Sequence, residues 1–249
     1  LAFGHGWLLQ ESAGEPRLGE VVDASVASAA TALLDQAISS LAAIHEAGHA
    51  AGLEDVVPAY AQGDGTARAL LTTLDAVAEA TLLPLPSFDR DHIARLVGRR
   101  GDAFIKWDAR PANAAGGEDG VVRFFDWQHA NRRHRGDDLV WLLMDSAIPP
   151  ALDVGTILFP AAEAWGDDVP RVAAMAVAHA GTRIHGCLAH AAGPDLSLAA
   201  CLANDWLGSR EAVHRLGLHG AAAARGSVLT APLGPWFTAL AEAHADRNA

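Results

Sequence analysis

The sequence predicts a mainly α-helical chain with a small β-hairpin, an α+β architecture forming one domain over residues 1–249. Three observations lead there. Long Ala-rich segments repeat larger apolar residues at three- and four-residue steps, the spacing that places them on one helix face. Two short runs rich in aromatic and β-branched residues, DAFIKW at 102–107 and VVRFF at 121–125, lie close together in mid-chain. Finally, no internal repeat and no low-complexity linker divides the chain.

Taken in order, the elements begin with GWLLQE at 6–11, a short apolar run that reads as a strand leading into a loop at Ser12, Ala13, Gly14 and Pro16. Over 21–51, Val26, Leu33, Leu34, Ile38, Leu41 and Ile44 recur at helical spacing, so this stretch is read as one helix. A loop follows to Gly63. Asp64 is placed to cap a helix running to about Leu82, and Ser87 or Asp89 to start another running to about Arg99. After the two predicted strands, helices are expected over 138–146, 150–165, 169–192, 196–216 and 232–245, with Pro149, Pro170, Pro194 and Pro232 near their starts. Gly116, Gly117, Asp119 and Gly120 supply the turn between the strands.

Composition limits the function classes. A net charge of −12 repels nucleic acid, so nucleic-acid binding is set aside. The same charge suits a cationic small substrate, although solubility is its usual reason. No uncharged run is long enough for a membrane span, and no basic segment leads into an apolar one at the start, so a cytoplasmic protein without membrane partners is expected. The two cysteines, Cys187 and Cys201, are too few for a disulfide scaffold and are expected to be buried, reduced thiols. His129 and His134 lie in an Arg-rich stretch with Arg132, Arg133 and Arg135, read as a solvated loop, and His179, His185 and His190 lie in a helical run with no assigned role. Oligomeric state leaves no trace in the sequence.

The chemistry concentrates between the two predicted strands. The first ends in Asp108-Ala109-Arg110-Pro111-Ala112-Asn113 and the second in Phe124-Phe125-Asp126-Trp127-Gln128. Phosphoryl transfer gives each polar group a reason. A carboxylate, Asp108, orients the acceptor hydroxyl and takes its proton. Magnesium takes hard oxygen ligands, here the amide of Asn113 and the carboxylate of Asp126. Arg110 is within reach of a phosphate oxygen.

This segment resembles the catalytic loop and metal-binding aspartate of the aminoglycoside phosphotransferase and choline kinase families, relatives of protein kinases. Their loop reads roughly H-x-D-x-x-x-x-N, followed after a hairpin by a strand-ending aspartate; Asp108, Asn113 and Asp126 match in type and spacing, and Lys106 stands where the family has the histidine. Gly136-Asp137-Asp138-Leu139 resembles the start of the helix that follows, with Asp138 expected to hold the loop. Leu41-Ala42-Ala43-Ile44-His45 resembles the family's long helix ending in Leu-His, and residues 6–11 resemble the strand joining the two kinase lobes.

The resemblance implies the C-terminal lobe of a protein-kinase-like fold, ATP and Mg2+ as cofactors, and transfer to a hydroxyl of a small molecule, possibly cationic. Gln10, Glu11 and Ser12 are then the expected contacts of the nucleotide base. No glycine-rich loop with its strand lysine precedes residue 6, and the chain begins at Leu1 rather than Met. The expectation is therefore a lobe cut from a longer enzyme, inactive by itself.

Two alternatives are carried forward. One is a pseudokinase or binding module that keeps the lobe without transferring phosphate. The other is a zinc hydrolase. His45-Glu46-Ala47-Gly48-His49 fits H-E-x-x-H, in which two histidines one helical turn apart bind zinc and the glutamate acts as base. No third ligand is identifiable in the sequence, and Gly48 and Gly52 suggest that the helix ends there.

Overall fold

The computed structural model describes the backbone of residues 2–4 and 7–9 and the whole of residues 12–59, 62–116, 119–190, 196–204 and 207–245. Its central element is helix α7, Val169–His190, buried on nearly every side through its first three turns. That burial follows from side-chain size. Ala173, Ala174, Ala176, Ala178, Ala180 and Gly181 let neighbours approach from several directions at once. Helix α3, Asp64–Thr81, comes so near that a Cβ on Gly181 would lie 2.5 Å from Leu74 Cδ2. Helices α4 (Arg90–Gly98), α5 (Gly136–Leu143), α6 (Gly155–Ala164) and α9 (Arg210–Ala224) also pack on α7, and α10 (Gly234–His244) lies along α9.

Helices α1 (Leu18–Ala24) and α2 (Ala27–Ala50) form the other side of the fold. Ala30, Leu34, Ala37, Leu41, His45 and Gly48 of α2 face the core, whereas Asp35 and Glu46 face solvent. By length and composition alone, α2 is the one helix among the described residues apolar enough to cross a membrane. Here it packs on strand β3, Ala103–Ile105, and a Cβ on Gly48 would fall 2.3 Å from Phe104 Cδ1.

The chain is thus mainly helical with small antiparallel sheets, and it departs from the expected elements in several places. The helix predicted over 21–51 breaks at Ser25, whose backbone is extended and whose hydroxyl donates to the Val21 carbonyl at 2.6 Å. The one predicted over 196–216 becomes α8 (Leu198–Asn204) and α9, because Gly208 turns the chain at φ +116° and the Ser209 hydroxyl accepts the Ala212 N–H. The helix expected from Pro150 begins only at Gly155. Gly63, not Asp64, caps α3, while Asp89 caps α4 by accepting the His92 N–H at 2.9 Å. At the N-terminus, β2 (Trp7–Leu9) pairs antiparallel with β1 (Ala2–Gly4), so the expected single strand is half of a pair.

The largest departure is in the β-structure that carries the polar residues. The two predicted strands do not pair with each other. Strand β5 (Val122–Phe124) pairs with β4 (Ala114–Gly116), and β3 pairs with β6 (Asn131–Arg133). The inner pair is nested within the outer. Strand β6 has no apolar alternation for the eye to catch, because its inward residues are Asn131 and Arg133. Arg133 is no part of a solvated loop. Its guanidinium lies 4.2 Å from the Trp107 ring centroid and donates to Asp137 Oδ2 at 2.7 Å.

Asp137 is fully buried and also accepts from Arg171 of α7, at 2.5 Å. Burial alone would raise its pKa, but Arg171 and Arg133 outweigh it and hold the carboxyl below its ordinary value. Stability from this ion pair is therefore full above about pH 4 and is lost as pH falls through the lower, folded-state pKa. Asp137→Ala leaves two guanidinium groups buried without their shared partner, and urea unfolding is expected to show a loss of about 3–5 kcal/mol.

Candidate active site

Nesting one hairpin inside another sets two loops side by side: residues 106–113, leaving β3, and 125–130, leaving β5. Lys106 joins them. Its side chain is wholly buried, and Nζ donates to the carbonyl oxygens of Asp108 at 3.1 Å and Asp126 at 2.9 Å. The ammonium thus binds main chain in both loops. Its pKa is lowered, chiefly by burial, with Asp108, Asp138 and Asp126 opposing that shift.

These carbonyls belong to strained backbone. Trp107, Asp108 and Asp126 have φ of +51°, +50° and +58°, and Leu82 is the one other non-glycine among the described residues at positive φ. Such conformations cost about 1–3 kcal/mol each and persist where surrounding structure enforces them. Here Lys106 is that structure. It is anchored in turn by Asp138, whose Oδ2 accepts the Lys106 N–H at 2.9 Å and lies 2.8 Å from His45 Nε2. One carboxylate oxygen therefore ties α2, α5 and the first loop together.

Within the loop, both oxygens of Asp108 are engaged. Oδ1 accepts from Arg110 Nε at 2.7 Å and Oδ2 from Asn113 Nδ2 at 2.9 Å. Asn113 Nδ2 also reaches the Asp108 carbonyl at 3.1 Å, so its Oδ1 is the free acceptor of the amide. Asp126 projects into solvent, and its carboxylate accepts no hydrogen bond from a described residue. Trp127 beside it stacks on Phe104 and donates Nε1–H to the Phe124 carbonyl at 3.2 Å.

Two clefts open here with no lining residue in common. One, of about 670 Å3, is bounded by Trp107, Asp108 and Arg110 from the loop, Trp141 of α5, and His179 and Arg183 of α7. The other, of about 780 Å3, is bounded by residues 12–17, Glu20 and Phe125, the residue before Asp126. Ser12 belongs to the second cleft; Gln10 and Glu11 lie outside the described residues. Sequence reasoning left His179, His185 and Trp141 without a role, yet all three line the first cleft. The available signal was polar residues in an otherwise Ala- and Val-filled helix, with His179 and Arg183 four apart and hence on one face.

The H-E-x-x-H pattern does not assemble as a zinc site. His45 points into the core against Asp138, whereas His49 is exposed and pairs with Glu54 at 2.6 Å. Helix α2 continues through Gly48 to Ala50. Among the described residues, no group of three or more His, Cys, Asp or Glu is arranged to hold a metal ion. Both cysteines are buried thiols. No family model, curated protein or solved structure matches the chain.

Two outcomes follow from this geometry. Lys106→Met keeps the volume and removes the donor for two left-handed loops; a loss of about 2–4 kcal/mol is expected in urea unfolding, on the scale of an orphaned buried network. Buried histidines set the acid response. Burial, with Arg183 and Arg110 nearby, holds His179 down at about 3, and burial holds His219 at about 4 against its bond to the Ile148 carbonyl. Below about pH 6.5 the unfolded chain takes protons that these rings refuse, so stability falls with pH by about 1.4 kcal/mol per unit for each ring. His219→Gln, which can still donate to Ile148, is expected to remove that share of the slope between pH 6 and pH 4 in unfolding titrations.

Proposed function

We propose that the chain is the catalytic, C-terminal lobe of a protein-kinase-like phosphotransferase resembling the aminoglycoside and choline kinases, and that it transfers phosphate to a hydroxyl of a small molecule. One observation carries this reading. Nested strand pairing and a single buried ammonium bring Asp108, Asn113 and Asp126 onto adjacent loops with the two aspartates in left-handed backbone. Ordinary turn formation calls for no buried clamp between two such loops.

The residues fit the implied cofactors. Asn113 Oδ1 and the Asp126 carboxylate are hard oxygens without donors among the described residues, the pair that would hold Mg2+, an ion that keeps several of its waters. When bound, Mg2+ with ATP supplies the phosphoryl group and neutralises its charge. The cleft at residues 12–17 is large enough for part of a nucleotide and ends at Phe125, next to Asp126. Asp108 faces the other cleft. There its carboxylate orients the acceptor hydroxyl and takes its proton, exchanging a hydrogen bond now made by Arg110. Arg110 lies beside that carboxylate, where its guanidinium would meet a phosphoryl oxygen. The work of the protein is positioning and charge stabilisation.

A second reading, a binding module without transfer, is favoured by the same Arg110–Asp108 pair, which occupies the base in this state. The test is phosphoryl transfer by the product of the complete reading frame, with labelled ATP, Mg2+ and a panel of small alcohols. Asp108→Asn is expected to lower kcat by about 100- to 10,000-fold, and Asp126→Asn to raise the Mg2+ concentration required. A near wild-type rate in Asp108→Asn would remove its role as base. An inactive wild-type protein whose first cleft still binds small alcohols would favour the binding module.

A further inference from the structure

The acceptor cleft has a chemical bias opposite to that of the whole chain. Net charge is −12, which suits cations. Yet Asp108 is the one carboxylate among the described residues lining this cleft, and Arg110 and Asn113 occupy both of its oxygens. The other charged residues that line it are Arg110 and Arg183. Among the described residues, a bound ammonium would meet two guanidinium groups and no open carboxylate.

The unmet hydrogen-bonding capacity points the same way. Trp141 Nε1, His179 Nε2 and Arg183 Nε are buried atoms without a partner among the described residues, and all three residues line this cleft. Indole N–H and guanidinium Nε–H are donors only. His179 is nine-tenths buried and more, and its neutral ring takes either role. Arg183 is fixed by one contact, Nη2 to Asp145 Oδ2 at 2.9 Å, which leaves Nε for a ligand. Buried donors without acceptors are costly to leave unmet, so a cleft that carries several suits a ligand that supplies oxygen. His129, Thr182 and His185 add polar groups, and the rest of the wall is largely apolar. Trp107 and Trp141 meet edge to face at 5.3 Å, with Leu70, Met175 and Leu207 around them.

We infer that this cleft takes an acceptor with an apolar, ring-sized body and a carboxylate, the carboxylate bound by Arg183 and Trp141 while its hydroxyl meets Asp108. The inference rests on the phosphotransferase reading for the role of that hydroxyl. The carboxylate preference stands on the cleft alone.

Calorimetry on this chain tests it with two probes sharing a ring and a primary alcohol, para-hydroxymethylbenzoate and para-hydroxymethylbenzylamine. The benzoate is expected to bind at least about tenfold more tightly, the scale of one charge-assisted hydrogen bond. Arg183→Met should abolish that preference. Because this variant strands the buried Asp145, Trp141→Phe serves as a second one: it deletes an N–H, keeps a ring, and should weaken the benzoate while leaving the benzylamine unchanged. Equal or tighter binding of the benzylamine, or no binding of either probe, overturns the inference. Benzoate that binds as expected but receives no phosphate from the complete protein, which phosphorylates no other alcohol either, supports the cleft assignment and sinks the phosphotransferase reading instead.

Discussion

The site depends on one buried ammonium. Lys106 is the only lysine in the chain, set against seventeen arginines, and it sits where neither solvent nor a carboxylate hydrogen-bonds its charge. What it meets instead is main chain: the carbonyls of Asp108 and Asp126, held in left-handed backbone. A lysine suits that task better than an arginine. Its charge is a compact point on a flexible stem, with donors that rotate toward two separate acceptors, whereas a guanidinium presents a rigid planar fork. Three aspartates lie near enough to offset part of its desolvation, but burial still dominates. The Asp-centred constellation is therefore bought at an energetic cost that the rest of the fold has to offset.

Much of that offset comes from two consecutive residues. Asp137 and Asp138 open helix α5, and their side chains leave it in different directions. Asp138 reaches the Lys106 amide and His45, binding the first loop to α2. Asp137 reaches Arg133 of β6 and Arg171 of α7, binding the outer strand pair to the central helix. The outer pair cannot shift without disturbing Asp137, nor the first loop without disturbing Asp138. The carboxylates also sit in the first turn of α5, where the helix dipole favours negative charge. A short helix start thus fixes the register of both loops against the helical body.

Legibility in the sequence followed side-chain pattern. Helices with one apolar face, such as α3 and α4, could be read to within a few residues, because periodicity and capping act locally. The spacing of Asp108, Asn113 and Asp126 was equally plain. Strand β6 was not, since its buried residues are Asn131 and Arg133, and the Asp137 that neutralises Arg133 is itself held by Arg171, from a distant helix. The break at Ser25 was hidden for another reason: alanine-rich flanks favour helix on both sides, and the interruption rests on one hydroxyl. Gly208 and Ser209 were visible turn and cap residues overridden by the helical residues around them. The tryptophan-walled cleft was least legible, because Trp107, Trp141, His179 and Arg183 come from three segments that only the folded chain brings together.

The strain and the cleft have a common explanation. Left-handed Trp107 and Asp108 turn the chain sharply just past β3, so the Asp108 carboxylate faces the tryptophan-walled cleft while its carbonyl faces back toward Lys106. An extended residue at that position would continue the strand direction and lose one contact or the other. Asp126 repeats the device at the end of β5, with its carbonyl inward to the same ammonium and its carboxylate outward to solvent. The two loops therefore present their carboxylates outward by turning their carbonyls inward. The buried cation is what makes that inversion tolerable in both loops together.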